Sequence, residues 1–137
     1  MRSVALVLGL ASLVAAAAAE PPNSVPQPVP LGDRPEPLMT REVLARGQGR
    51  YEIFCTPCHG FAGDGDGMAV QRGFPAPPSF HTEARSGMAP ERIVTAITNG
   101  FGRMLPMAER IPPADRWAIA AYVKALQLSR RGTEGGQ

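Results

Sequence analysis

The 137-residue chain carries 14 Lys or Arg against 12 Asp or Glu, a formal net charge of +2, which gives nucleic-acid binding no electrostatic footprint. Hydrophobic residues make up 44% and aromatic ones 6%, enough for one small domain but a thin core, so a bound group that adds apolar volume would matter to stability. With Cys 2 and His 2 in the whole chain, a disulfide framework is excluded and a four-ligand structural zinc site would need all four side chains, which are poorly spaced for it.

Residues 1–19 hold one positive charge at Arg2, an apolar run from Val4 to Val14 and a small-residue end, Ala17-Ala18-Ala19 before Glu20. This pattern predicts a secretory signal peptide cleaved after Ala19, and hence a periplasmic protein. The alternative is a segment kept as an N-terminal anchor, since the run continues through five alanines. Cleavage would remove Arg2 and leave 13 basic against 12 acidic side chains. No cysteine stands near the cleavage site for a lipid anchor. Residues 20–37 contain prolines at 21, 22, 26, 28, 30, 35 and 37. Such a composition predicts an extended, semi-rigid leader, read either as a plain linker or as a strap along a partner subunit. One domain is expected over residues 38–129, followed by a polar tail, 130–137.

The first helix is expected from Thr40, as N-cap, to about Phe54, because Leu44, Gly47, Tyr51 and Phe54 recur at helical spacing. A glycine inside a helix costs about 1 kcal/mol relative to Ala, so Gly47 is read as the place where another helix comes close. The helix delivers Cys55-Thr56-Pro57-Cys58-His59, and C-x-x-C-H is the attachment sequence of c-type haem. Two intervening residues set Cys55 and Cys58 one turn apart for thioether bonds to a porphyrin, and His59 follows as proximal iron ligand. Three other readings use the same residues: a dithiol oxidoreductase of the C-x-P-C kind, a plain disulfide, and half of a zinc site. The dithiol motif wants a preceding strand in a βαβ unit, which the pattern does not offer.

Residues 60–80, with Gly-Asp-Gly-Asp-Gly at 63–67 and Phe74-Pro-Ala-Pro-Pro-Ser-Phe80, predict a loop that wraps the site. Asp64 and Asp66 are read as turn residues, because the remaining ligands of a calcium loop are missing. A short helix is expected from Pro90 through Ile93, Val94 and Ile97 to Gly100. An irregular stretch holding Met104 and Met107 comes next. The last helix begins at Pro112-Pro113, carries Asp115 in its first turn, and runs through Trp117, Ile119, Tyr122 and Leu126 towards Ser129. Its apolar surface is wider than one stripe, which predicts a face left over for a partner. No window alternates as a strand does, so the fold class is all-α, with three main helices and long loops around the cofactor.

In this order, the helix, C-x-x-C-H-G, Pro-rich loop, short helix, methionine loop and aromatic-bearing terminal helix resemble a class I cytochrome c domain across residues 38–129. Three phrases, Gln71 to His81, Ile97 to Met104 and Asp115 to Ile119, are similar to the monohaem cytochrome c subunit of alternative complex III, a bacterial quinol:electron-acceptor oxidoreductase. The resemblance implies crossing first and last helices, with Gly47 and Tyr51 meeting Ile119 and Tyr122. It implies Met104 as distal iron ligand, in the loop between the last two helices. Pro106 stands one place later than is common after that ligand, so Met107 is the alternative, while Met68, Met88 and His81 are formal candidates. It also implies that the Pro78 carbonyl accepts a hydrogen bond from the proximal imidazole.

The reading that follows is one covalently attached haem c per chain, six-coordinate through His59 and Met104, moving single electrons and turning over no small-molecule substrate. Expected partners are an iron–sulfur or multihaem donor and an oxidase or soluble cytochrome acceptor, within a membrane quinol-oxidising complex. The alternatives are a free periplasmic electron shuttle and, from another class, an exported C-x-x-C dithiol oxidoreductase. A haem sensor or peroxidase would need an open sixth position.

Overall fold

The computed structural model describes residues 39–134. The signal segment and the leader expected over 1–37 lie outside the described residues. Six helices follow one another: α1 (Arg41–Phe54), α2 (Thr56–His59), α3 (Met68–Gln71), α4 (Glu83–Ser86), α5 (Pro90–Asn99) and α6 (Pro113–Glu134). Only α1, α5 and α6 exceed a single turn, and the one β element among the described residues is an isolated bridge between Phe101 and Met104. The all-α expectation holds.

The start of α1 is set by Thr40, whose Oγ1 accepts a hydrogen bond from the Val43 N–H at 3.2 Å and satisfies one of the donors a helix leaves open at its beginning. The side of α1 that carries Val43, Arg46, Gly47 and Tyr51 is buried and packs across α6. At the crossing, a Cβ on Gly47 would run into the Ala118 carbonyl and the Tyr122 Cβ, so the two backbones meet where only hydrogen fits. Val43, Ala118 and Ala121, with Leu44 against them, form a small apolar cluster beside it. A buried charge lies next to that cluster. Asp115, 1% exposed, faces Arg46 Nε at 2.5 Å and Arg50 Nε at 2.9 Å. A buried carboxylate without a counter-charge is costly, so this pairing fixes which turn of α1 meets the start of α6.

The larger core cluster is Tyr51, Cys55, Ile97, Ile111, Ile119 and Val123, with Phe54, Phe80, Ile93, Met104, Met107, Tyr122 and Leu126 packed around it. It draws on all three long helices and on both connecting loops. Residues 118–121 of α6 are all buried, as is Val123. Much of the wide apolar surface of α6 is therefore covered from within the domain by α1 and α5, while Leu128 stays 52% exposed. A stretch with neighbours on two sides needs an apolar surface wider than one stripe.

Two features differ from the sequence reading. Helix α6 continues to Glu134, past the expected end near Ser129, and Arg130 Nη2 in its added turns meets both Asp64 carboxylate oxygens at 2.7 Å. The loop expected over residues 60–80 contains the single turn α3, and α4 stands before α5. Four residues are too few to show a helical period, so such turns leave no trace in a hydrophobic pattern.

Candidate haem site

Helix α1 ends at Phe54, and Cys55 closes it by donating its N–H to the Tyr51 carbonyl at 2.8 Å. The same residue opens α2. The Cys58 and His59 N–H groups both donate to the Cys55 carbonyl, at 3.1 and 2.8 Å, so both cysteines and the histidine occupy one turn. The glycine loop is laced to the back of that turn: Gly65 N–H donates to the His59 carbonyl at 2.9 Å and Gly67 N–H to the Cys58 carbonyl at 3.2 Å. A Cβ on Gly67 would collide with the Thr56 and Pro57 carbonyls. From α1, the fully buried Tyr51 donates its hydroxyl to the Gly60 carbonyl at 2.7 Å. Gly60 itself has φ +76°, a left-handed conformation that lets the chain turn away directly after His59.

Neither thiol is in a disulfide; Cys55 is buried and Cys58 exposed. Burial pushes the Cys55 thiol up to about 12. Dithiol exchange needs a ready thiolate, so the buried first cysteine argues against the oxidoreductase reading. The imidazole of His59 moves the other way, because burial lowers it to about 4 and keeps it neutral at ordinary pH. A neutral imidazole is the form that binds a metal.

The His59 ring lies nearly flat against Phe80, with centroids 4.6 Å apart and planes at 21°. Its Nδ1 is buried and has no hydrogen-bond partner. The bond that the resemblance assigns to the Pro78 carbonyl is thus not made in this structure. The side chain two residues beyond Pro78 stacks on the ring in its place, and the Pro77 carbonyl lies packed against Gly65.

The distal candidates separate cleanly. Met104 and Met107 both pack on the core cluster that contains Cys55. Met68 is 56% exposed on α3, and Met88 lies outside that cluster, its carbonyl accepting from Lys124 Nζ at 2.9 Å. His81 Nε2 is taken up by the Ala62 carbonyl at 2.7 Å. No three His, Cys, Asp or Glu side chains converge as a metal-ion site among the described residues, and Asp64 is engaged by Arg130.

Two unpaired thiols on one turn, a neutral imidazole with an unpartnered buried nitrogen, and thioether sulfurs bordering the same apolar cluster form a donor set that fits haem c. Cys55 and Cys58 would hold the porphyrin and His59 its iron.

A family described as cytochrome C oxidase, cbb3-type, subunit III matches residues 42–123. The chain belongs to this family of c-type cytochromes. Among solved structures, the cytochrome is similar to the KustC0563 c-type cytochrome at 24% identity and a TM-score of 0.50, covering 58% of this chain and 95% of that one. That likeness concerns the fold. A chain of the Kuenenia stuttgartiensis reducing HAO-like protein complex Kustc0457/Kustc0458 is 29% identical with a TM-score of 0.56, covering 78% of this cytochrome. The match spans half of that chain, 50% of its length. No curated protein matches. Family and fold together make this an electron-transfer cytochrome that uses haem c.

Several residues that build the site carried no signal of their own. Phe80 against His59 and the Gln127 amide, which donates to the Phe80 and Arg85 carbonyls at 3.0 Å each, act across long sequence separations, and the Tyr51 hydroxyl on Gly60 reaches over the turn between them. Gln127 is 2% exposed, and a polar group so buried needs partners; in the sequence only its place between Leu126 and Leu128 hinted at this.

Proposed function

We propose that the cytochrome carries one covalently bound haem c, ligated by His59 and Met104, and passes single electrons within a membrane quinol-oxidising complex. One observation carries the ligation: Met104 borders the same apolar cluster as Cys55, while His81 Nε2 bonds the Ala62 carbonyl, Met68 is exposed and Met88 lies outside that cluster. Met107 shares that cluster and is the second reading. When bound, haem c supplies an iron centre that exchanges one electron, and methionine ligation raises its reduction potential. The protein's part is to orient His59 through Phe80 and the Gly60 anchor, to keep the imidazole neutral by burial, and to exclude water with the apolar cluster.

The complex is supported by the phrases that resemble the alternative complex III subunit and by the solved relative, which is a chain of the reducing HAO-like protein complex Kustc0457/Kustc0458. Donor and acceptor are accordingly redox proteins, iron–sulfur or multihaem on one side and an oxidase or soluble cytochrome on the other. The export signal in the sequence puts the cytochrome in the periplasm at the membrane face. Among the described residues no helix is long and apolar enough to cross a membrane, so attachment in this reading runs through partner subunits.

A pyridine haemochrome spectrum of the denatured chain tests the cofactor, with haem expected to stay with the polypeptide in acid acetone. Gentle solubilisation of native membranes tests the complex. The chain should travel with the quinol-oxidising fraction, and its recovery only as soluble protein, with quinol oxidation undiminished in a deletion strain, would leave a free shuttle.

A further inference from the structure

The segment between α5 and α6, residues 100–112, holds both methionines and has little regular structure of its own. Its first half closes on itself, because Phe101 and Met104 exchange backbone hydrogen bonds at 3.0 and 2.9 Å around Gly102, which has φ +59°. Its middle is tied to α5 by the Met107 N–H, which donates to the Ile97 carbonyl at 2.9 Å. Its exit is hydrogen-bonded to α5 through one side chain. Arg116, in the first turns of α6, donates Nε to the Ile111 carbonyl at 2.8 Å, Nη1 to Thr98 Oγ1 at 2.9 Å and Nη2 to the Ala108 carbonyl at 3.2 Å. Three arms of one planar, permanently charged group reach the last turn of α5 and two points of the loop exit. The backbone bonds at that exit run locally and to α6: the Arg110 and Ile111 N–H groups donate to the Met107 carbonyl at 3.0 and 2.9 Å, and the Pro112 carbonyl accepts from the Asp115 and Arg116 N–H groups at 3.0 and 3.1 Å. None of these bonds ties the exit to α5. Thr98 is itself oriented, since its hydroxyl donates to the Val94 carbonyl at 2.7 Å and so presents lone pairs to the guanidinium.

We infer that Arg116 is a positioning residue which staples the methionine loop to α5 and so holds the sixth iron ligand in place. The residue before it serves a different neighbour, because Asp115 faces Arg46 and Arg50 of α1. Consecutive side chains thus set the helix crossing and the ligand loop independently. The staple acts on loop opening: with it intact the loop exit stays tied to α5, and swinging the methionine loop aside for an incoming ligand would break its three hydrogen bonds. This inference rests on methionine ligation from that loop, and it holds whether the sulfur is that of Met104 or Met107.

The test uses full-length ferric holocytochrome and imidazole as the displacing ligand. Arg116→Ala is expected to bind imidazole at least about tenfold more tightly than the wild type, the scale of losing hydrogen bonds from a charged donor. Thr98→Val, which removes one acceptor at nearly constant shape, should show a smaller gain of about threefold on the same scale. Arg116→Lys should fall between Arg116→Ala and the wild type, since an ammonium cannot span all three acceptors. Val43→Ala, which opens space in the separate cluster with Ala118 and Ala121, serves as the control for general destabilisation and should leave imidazole affinity unchanged. A tighter-binding Val43→Ala, or unchanged affinity in both Arg116→Ala and Thr98→Val, overturns the staple. Absence of the ferric methionine-to-iron charge-transfer band in the wild type would instead overturn methionine ligation itself. Should Arg116→Ala fail to fold, Thr98→Val and Arg116→Lys decide the question alone.

Discussion

Gly47 of α1 lies against the backbone carbonyl of Ala118 in α6, with no room for a methyl group between them. Two residues on, Gly49 of the same helix has nothing within 4 Å of its would-be Cβ. Gly47→Ala should therefore destabilise the protein by about 1–3 kcal/mol through overpacking. Gly49→Ala should stabilise it by up to about 1 kcal/mol through helix propensity. Thermal unfolding of both variants checks the pair, and equal shifts of the same sign would contradict the close crossing.

Asp115 sits between two guanidiniums at 1% exposure. Asp115→Asn keeps the shape and removes the charge, and is expected to cost about 3 kcal/mol in denaturant unfolding, as breaking a buried ion pair does. Arg50→Ala should cost less, about 1 kcal/mol or under, because that side chain is 28% exposed and its pairing is partly screened. The ordering of the two variants is the critical outcome.

Much of this fold is legible from the chain itself, and the reasons are local. Thr40 announces α1 because its hydroxyl bonds three residues on, and Gly100 ends α5 because it takes φ +78°, which other residues avoid. The haem site is legible as far as Cys55, Cys58 and His59, whose spacing is itself the signal. The rest is tertiary. That Phe80 lies on His59, that the Pro78 carbonyl does not reach it, and that α6 continues to Glu134 all follow from contacts between residues far apart in sequence. The apolar breadth of α6 was visible, but what covers it depends on how α1 and α5 pack.

If haem is attached as proposed, loss of the two cysteines should be unequal. Cys55 is 7% exposed and belongs to the core cluster, whereas Cys58 is exposed. Cys55→Ala removes a thioether bond and a packed sulfur together, while Cys58→Ala removes the bond alone. Both should leave little stable cytochrome, since so small a core relies on the cofactor, with the lower yield for Cys55→Ala. Accumulation of both as folded, haem-free protein would contradict the role given to haem in the core.

Met104→Ala should abolish the ferric methionine-to-iron charge-transfer band and lower the reduction potential, whereas Met107→Ala should keep both. Methionine raises the potential of a haem relative to weaker sixth ligands, so band and potential must move together. The opposite pattern would assign the ligand to Met107, whose backbone already caps α5 through Ile97.

Acid should release the proximal ligand late. Burial lowers the His59 imidazole from 6.5 to about 4 in the folded chain, so the fold disfavours the proton that would compete with iron. Because the folded value lies below the unfolded one, the stability linked to this group is complete above about pH 6.5 and is lost as pH falls through 6.5 towards 4. At 1.36 kcal/mol per unit, that loss amounts to about 3 kcal/mol over the window. In the ferric holoprotein the iron bond opposes protonation further, which moves release to lower pH and never to higher. A spectrophotometric titration should therefore show the low-spin spectrum persisting from pH 7 to about 4. Conversion to a high-spin form with a midpoint near 6.5 would mean that neither burial nor an iron bond keeps the proton off His59, and would contradict its role as proximal ligand.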